Sequence, residues 1–444
     1  MNSLIQRRLA ANGGLTVAVW ALAFAFISYF CMYAFRKPFT AGTYLDVADW
    51  NFPIDFKSAI IISQVIGYAL SKLVGVKVVS EAGDKGRTFL ILGLILFSEF
   101  ALVLFAIVPA PYKPIAMFLN GLPLGMIWGL VFRYLEGRRT SEFLGAGLCT
   151  SFIVSSGFVK SAGWMLIDDF HVPEIWMPAA TGLLFLPLIC LSVWLLSLTP
   201  PPDRGDVEAR MARAPMDRKD RSLFIDRYGV GLLFIGVSFV ALGALRDFRD
   251  NFAVDIWKAV GFDSAPEILT LSEIPAALLV LVALSLIMLV KNNRKAVLTI
   301  HLLMVSGIVL AVAATAAYQL HLIGPLEWMV VLGAGVYLGY VPCTSILADR
   351  LMASLRSGGN AGFMMYLLDA WAYGGSVGVL LFRSIASPDL PWLSFFIGLI
   401  YVALGVGLVG TVLSMMYFDR ESTTGDAPAR PAPAPELKSA DAKA

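Results

Sequence analysis

Charge is scarce in this sequence: Asp, Glu, Lys and Arg make up 15% of its 444 residues, against about 25% in soluble globular domains. With 58% hydrophobic residues and a mean hydropathy of +0.75, a water-soluble globule is excluded and the bilayer is the expected solvent. Cysteine is limited to Cys31, Cys149, Cys190 and Cys343. All four lie in apolar runs without ligand-type spacing, which argues against a disulfide framework or a zinc site. The sequence holds no H-E-x-x-H, no G-x-S-x-G and no Walker-type phosphate loop. Neither an enzyme nor a bound cofactor is expected from it, because no nucleophile or metal constellation is present. A net charge of +2 gives no reason to expect a nucleic-acid partner. The apolar run after Arg7 and Arg8 has no small-residue cleavage site, so it reads as a retained helix.

What is abundant is long apolar sequence. Twelve stretches can each cross roughly 30 Å of hydrocarbon at about 1.5 Å per residue. They start near Leu15, Ser58, Thr88, Pro114, Phe143, Ile175, Gly229, Ile268, Ala296, Leu326, Ala361 and Trp392. The longest polar interruption, Pro200 to Arg227, opens with three prolines and divides the chain six plus six. The expected fold is therefore an all-α integral membrane protein with twelve transmembrane helices in two six-helix bundles. Residues 1–199 form the first bundle, 200–227 a cytoplasmic linker, 228–420 the second bundle and 421–444 a disordered, Ala/Pro-rich tail.

Orientation follows from basic residues, which gather in cytoplasmic loops. Placing the N-terminus inside puts most of the 34 Lys and Arg in inner segments and only Lys57, Lys113, Lys258 and Arg383 in outer loops. Trp50, Trp176, Trp328 and Trp392 then mark outer helix ends, as interfacial anchors do. Both termini are expected to be cytoplasmic, in a multi-pass protein of the cell's inner (plasma) membrane.

Six basic residues remain within or at the ends of helices: Arg36, Lys37, Lys72, Lys160, Arg246 and Arg249. Each costs about 2.5 to 3.5 kcal/mol at a bilayer centre if unpaired, so together they exceed the net stability of a typical domain, about 5 to 15 kcal/mol. They must pair, snorkel or face water. Asp247, Asp250, Glu273 and Asp369 are the expected partners, which leaves the interior with a positive surplus suited to an anion. Asp369 and Glu273 are read as charge-balancing groups or, alternatively, as proton-coupling carboxyls. Arg36 and Lys37 either end the first helix at an interface or enter a site. In Arg246-Asp247-Phe248-Arg249-Asp250, the i,i+4 spacing of Arg246 and Asp250 allows a local ion-pair knot. The opening helices of both halves, however, place arginine just after a long apolar run, and equivalent positions in the halves of a transporter converge on a midplane site. Lys72 sits mid-helix with no local acidic partner.

Phe35-Arg36-Lys37-Pro38-Phe39 resembles the first-helix signature of the organophosphate:phosphate antiporter branch of the major facilitator superfamily, which includes the glycerol-3-phosphate and hexose-phosphate transporters. Tyr68 to Lys72 is similar to its Y-x-x-S-K on helix two, and Leu245-Arg246 followed by Trp257 to its helix-seven segment. Ile274-Pro275 resembles helix eight, and Ala361-Gly362-Phe363 with Tyr373-Gly374-Gly375-Ser376-Val377 resembles helix eleven. The resemblance implies the major facilitator fold, with Arg36 and Arg246 as paired phosphate-binding arginines and Lys72 near the same cavity. Two features depart from the pattern. The loop Gly75 to Arg87 is longer than the superfamily's usual one, and helix five carries Lys160 where the glycerol-3-phosphate branch has a histidine.

The function expected from these readings is alternating-access transport of a small organic anion of the phosphorylated type by a monomer. A proton-coupled carboxylate transporter and a transporter-like sensor of a phosphorylated metabolite are the rival readings.

Overall fold

The computed structural model describes residues 13–45, 47–81, 84–135, 138, 141–201, 218–262, 265–355, 361–386 and 390–424, with residues 6, 8 and 9. Most of the expected linker (202–217) and the tail from 425 lie outside the described residues.

Among the described residues, twelve long helices follow the apolar runs: α1 (Gly14–Met32), α2 (Phe56–Glu81), α3 (Asp84–Ile107), α4 (Lys113–Phe132), α5 (Ser141–Asp168), α6 (Met177–Ser197), α7 (Arg218–Asn251), α8 (Ile268–Ile287), α9 (Asn293–Gln319), α10 (Pro325–Pro342), α11 (Ala361–Ala386) and α12 (Trp392–Thr424). Among the described residues, nine helical stretches are long and apolar enough to cross a membrane. The other three, α2, α5 and α11, have 26, 28 and 26 residues and carry Lys72, Lys160 and Asp369. Three expected boundaries need correction. The expected loop Gly75 to Arg87 is mostly helix, because α2 continues to Glu81 and α3 starts at Asp84. Helix α7 begins at Arg218 rather than near Gly229, so the end of the expected linker is already helical, and α12 runs into the expected tail as far as Thr424. Amphipathic ends with charged residues continue a helix into the interface, where apolar content alone marks no boundary.

The packing repeats itself. In the first half α1 packs on α5 and α6, α4 on α2 and α3, and α3 on α6; in the second, α7 packs on α11 and α12, α10 on α8 and α9, and α9 on α12. Each pairing is the other shifted by six helices, the mark of two bundles related as parallel repeats. The halves meet along two matching seams, α5 against α8 and α2 against α11. Close approach needs small residues in membrane bundles. At Gly157 of α5, an added Cβ would lie 2.3 Å from the Leu269 carbonyl of α8, so a side chain there would force this seam apart.

Helix α1 ends at Met32, and the chain does not resume it past Pro38, because proline has no N–H to continue the ladder. The chain passes through 3-10 turns at Tyr33–Phe35 and Pro38–Ala41. The backbone carbonyls freed by the break are satisfied from neighbours: Gln64 donates to the Arg36 carbonyl at 2.8 Å and Asn120 to the Phe35 carbonyl at 3.0 Å. The second half breaks at the matching place, where α7 stops at Asn251 and a short helix, Ala253–Ala259, follows. Irregular backbone at membrane depth is tolerated where protein buries it or a cavity accepts it.

Candidate functional site

The two breaks face each other. Between them lies a small polar pocket lined by Tyr33, Arg36, Lys37, Phe152 and Ser156 of the first half and by Arg246, Asp247, Asp250 and Tyr337 of the second. Its volume is about 20 Å³, room for about one water.

Arg36 and Lys37 are 8% and 6% exposed, so the reading in which they merely end a helix at an interface is wrong: they end it inside the protein. The Arg36 guanidinium carbon stacks 3.8 Å from the Tyr68 ring centroid, and Nη1 donates to the Tyr33 hydroxyl at 3.3 Å. Its Nε is buried without a hydrogen-bond partner, and among the described residues Arg36 makes no ion pair. Cation–π contact with a desolvated ring contributes about 2 kcal/mol, less than the cost of an unpaired charge at membrane depth. Arg36 is the uncompensated cation of the site.

The other five cations are paired, though not as local spacing suggested. Asp250 does not pair with Arg246. Its carboxylate bridges Lys37 at 2.5 Å and Lys160 at 2.6 Å, takes a further hydrogen bond from Ser156, and its backbone carbonyl accepts from Lys160 at 2.8 Å. Arg246 pairs instead with Asp247, stacks 4.2 Å from the Tyr340 centroid, and lines the pocket. Asp247 also accepts from Ser376 of α11 at 2.7 Å. Lys72 has its partner across the seam, Asp369 of α11 at 2.5 Å, between the Tyr68 and Tyr373 rings.

Arg249 turns away from the pocket. Its guanidinium pairs with Glu273 of α8 at 2.8 Å and donates to the Met329 carbonyl of α10 at 3.1 Å, in space left by Gly333. It ties α7, α8 and α10 together inside one half. Of the six basic residues, then, Arg36, Lys37 and Arg246 line the pocket, Lys160 reaches it through Asp250, and Lys72 and Arg249 do not line it.

Three features escaped the sequence reading. Tyr33, Tyr68, Tyr337, Tyr340 and Tyr373 surround the charges, a cage assembled from both halves. Lys57, expected in an outer loop, forms a further bridge between the halves, to Asp255 at 2.6 Å. Glu99 is a fifth acid inside the bundle, in the otherwise uncharged run Thr88 to Tyr112, and its lone position in an apolar helix was the available signal. A larger cavity of about 540 Å³ lies elsewhere in the first half, around Thr43, Tyr44, Lys113 and Glu174. Its charged groups are already engaged: Glu174 accepts from Thr43 and Tyr44, and Lys113 donates to the Phe105 carbonyl.

Residues 38–421 match the DUF5690 family, a family of unknown function. The chain belongs to that family. No curated protein matches the sequence. Among solved structures, a D-xylose–proton symporter is similar over 91% of this chain and 98% of its own, with a TM-score of 0.59 and 14% identity. The nucleoside transporter NupG is similar over 90% and 98%, with a TM-score of 0.56 and 14% identity. A bacterial homologue of the human lysosomal transporter Spinster is similar over 93% and 98%, with a TM-score of 0.56 and 13% identity. At such identities the likeness establishes the fold: twelve helices in two six-helix bundles, the arrangement of the major facilitator superfamily.

Proposed function

We propose that this DUF5690 protein is a secondary transporter of a small organic anion of the phosphorylated type, held between Arg36 of one half and Arg246 of the other. The observation that carries the reading is Arg36: a buried guanidinium without a carboxylate, facing a pocket to which both halves contribute. Arginine suits this task because its planar fork gives two parallel hydrogen bonds to a phosphate or carboxylate and stays charged throughout a cycle. That the fold's solved examples include sugar and nucleoside transporters supports the transport part of the reading.

Alternating access explains why the pocket is so small. At about 20 Å³ it has no room for an organic anion, so such an anion enters only when the halves part. Parting them breaks the lysine bridges to Asp250 and Asp369, and an anion that takes over as partner of Lys37 or Lys160 compensates for that loss. Ligand binding and rocking are thereby linked through differential affinity for the two states.

A thermal-unfolding screen of the purified protein against phosphorylated metabolites, organic acids and neutral sugars tests the reading. A ligand at a hundred times its Kd adds about 2.7 kcal/mol of apparent stability. The expected result is a rise in Tm with an organic phosphate. A rise confined to neutral sugars or nucleosides would contradict it. The proposed orientation, both termini and the 200–227 segment cytoplasmic, has its own check. An impermeant thiol reagent added to intact cells should label cysteine placed at Asp49 or Asp389 and spare cysteine placed at Asp206; labelling at Asp206 reverses the topology.

A further inference from the structure

Glu99 of α3 is 6% exposed, and both of its carboxyl oxygens are buried without a hydrogen-bond partner. Its place is specifically accommodated. An added Cβ on Gly182 of α6 would lie 2.0 Å from Glu99 Oε2 and 3.2 Å from the Phe35 ring, so the missing side chain at residue 182 is what lets the carboxyl sit between α3, α6 and the turn Tyr33–Phe35. The front of that turn presents Arg36 and Lys37 to the pocket.

Little around Glu99 can compensate a negative charge. Helices α1 and α6 contain no ionisable acid or base other than tyrosine and cysteine. On α4 the only charged residue is Lys113, which donates to the Phe105 and Ala106 carbonyls at 2.6 and 3.3 Å. The remaining charges of α3, Asp84, Lys85 and Arg87, are at least twelve residues away, about 18 Å along the helix. Arg36, next to Phe35, is stacked on Tyr68. Burying a carboxylate without a partner costs several kcal/mol, whereas the neutral acid avoids the charge penalty.

We propose that Glu99 is a proton-binding site, protonated in the closed conformation, and that its proton is coupled to movement of the turn that carries Arg36 and Lys37. When α3, α6 and the turn separate and water enters, the O–H bond breaks, its electron pair stays on the carboxylate and the proton passes to water. Return to the closed packing requires a proton to be taken up again. The coupling rests on the transport reading above, while the protonation does not.

Infrared spectroscopy of the purified full-length protein at neutral pH tests the protonation without any substrate. The carbonyl stretch of a protonated carboxylic acid should be present in the wild type, missing in Glu99→Gln, and retained at a changed frequency in Glu99→Asp. Identical wild-type and Glu99→Gln spectra in that region overturn the proposal. Should Glu99→Gln not fold, Glu99→Asp made with ¹³C-glutamate decides: a protonated band that still carries the isotope shift belongs to another residue and overturns the assignment. Coupling is read in proteoliposomes as the ratio of anion uptake with and without an imposed pH gradient. That ratio should exceed one in the wild type and fall to one in Glu99→Gln. An unchanged ratio with the infrared band assigned to Glu99 overturns the coupling. A wild type that moves no anion while showing the band overturns the transport reading and leaves the protonated carboxyl standing.

Discussion

The two halves share one fold but divide the charge between them. In the first half Arg36, Lys37, Lys72 and Lys160 are all cations, and none is paired with an acid of its own half among the described ion pairs. In the second half Arg246 and Arg249 are each matched by a carboxylate of that half, while Asp250 and Asp369 are offered across the seam. Every described ion pair between the halves runs from a lysine of the first to an aspartate of the second, Lys57–Asp255 included. Such complementarity fixes the register of the two surfaces. Of the six interior cations it leaves Arg36 without a carboxylate among the described ion pairs, and that is where the proposed anion would bind.

The largest effect should come from Asp250, among the described residues the only carboxylate that serves two lysines. Replacing it with Asn strands Lys37 and Lys160, and removing one partner of a buried pair destabilises by about 3–5 kcal/mol. Unfolding in detergent should show a Tm well below wild type, and an unchanged Tm would mean that the seam does not depend on its ions. At Lys72 and Asp369, a double-mutant cycle of Lys72→Met and Asp369→Asn should give a coupling of about 0.5–3 kcal/mol, with each single variant less stable than the double. Additivity there would remove the second seam from the account. The smallest effect belongs to Arg294–Asp419, whose side chains are 44% and 38% exposed and which joins helices of the same half. Exposed pairs contribute about 0–1 kcal/mol, so Arg294→Ala should unfold almost as wild type does, and a large loss would show that burial is not what distinguishes the seam pairs.

Most of the fold was legible because hydrocarbon thickness and the long apolar runs leave few ways to divide the chain. The site was legible only as an inventory. Arg36, Lys37, Lys72, Lys160 and Arg246 stand out as charges in apolar sequence, yet their partners do not, since Lys72 and Asp369 are 297 residues apart and meet only through the packing of α2 on α11. Local spacing suggested Arg246 with Asp250. The structure sends Asp250 to the lysines because α7 presents it across the seam, and Arg246 takes its immediate neighbour instead. Arg249 could not be assigned from sequence, because its role as a tie depends on the space that Gly333 leaves. Glu99 is not legible as half of an ion pair, since none of the described ion pairs contains it.

The central claim is that Arg36 and Arg246 grip one anion from opposite halves. It is tested most directly by anion exchange in proteoliposomes containing Arg36→Lys or Arg246→Lys, using the ligand found by the thermal screen. Lysine keeps the charge and loses the bidentate fork, so exchange by either variant should fall at least tenfold, a change of about 1.4 kcal/mol, while Tm stays close to wild type. Normal exchange in both lysine variants would contradict the two-arginine site and leave these residues as structural cations.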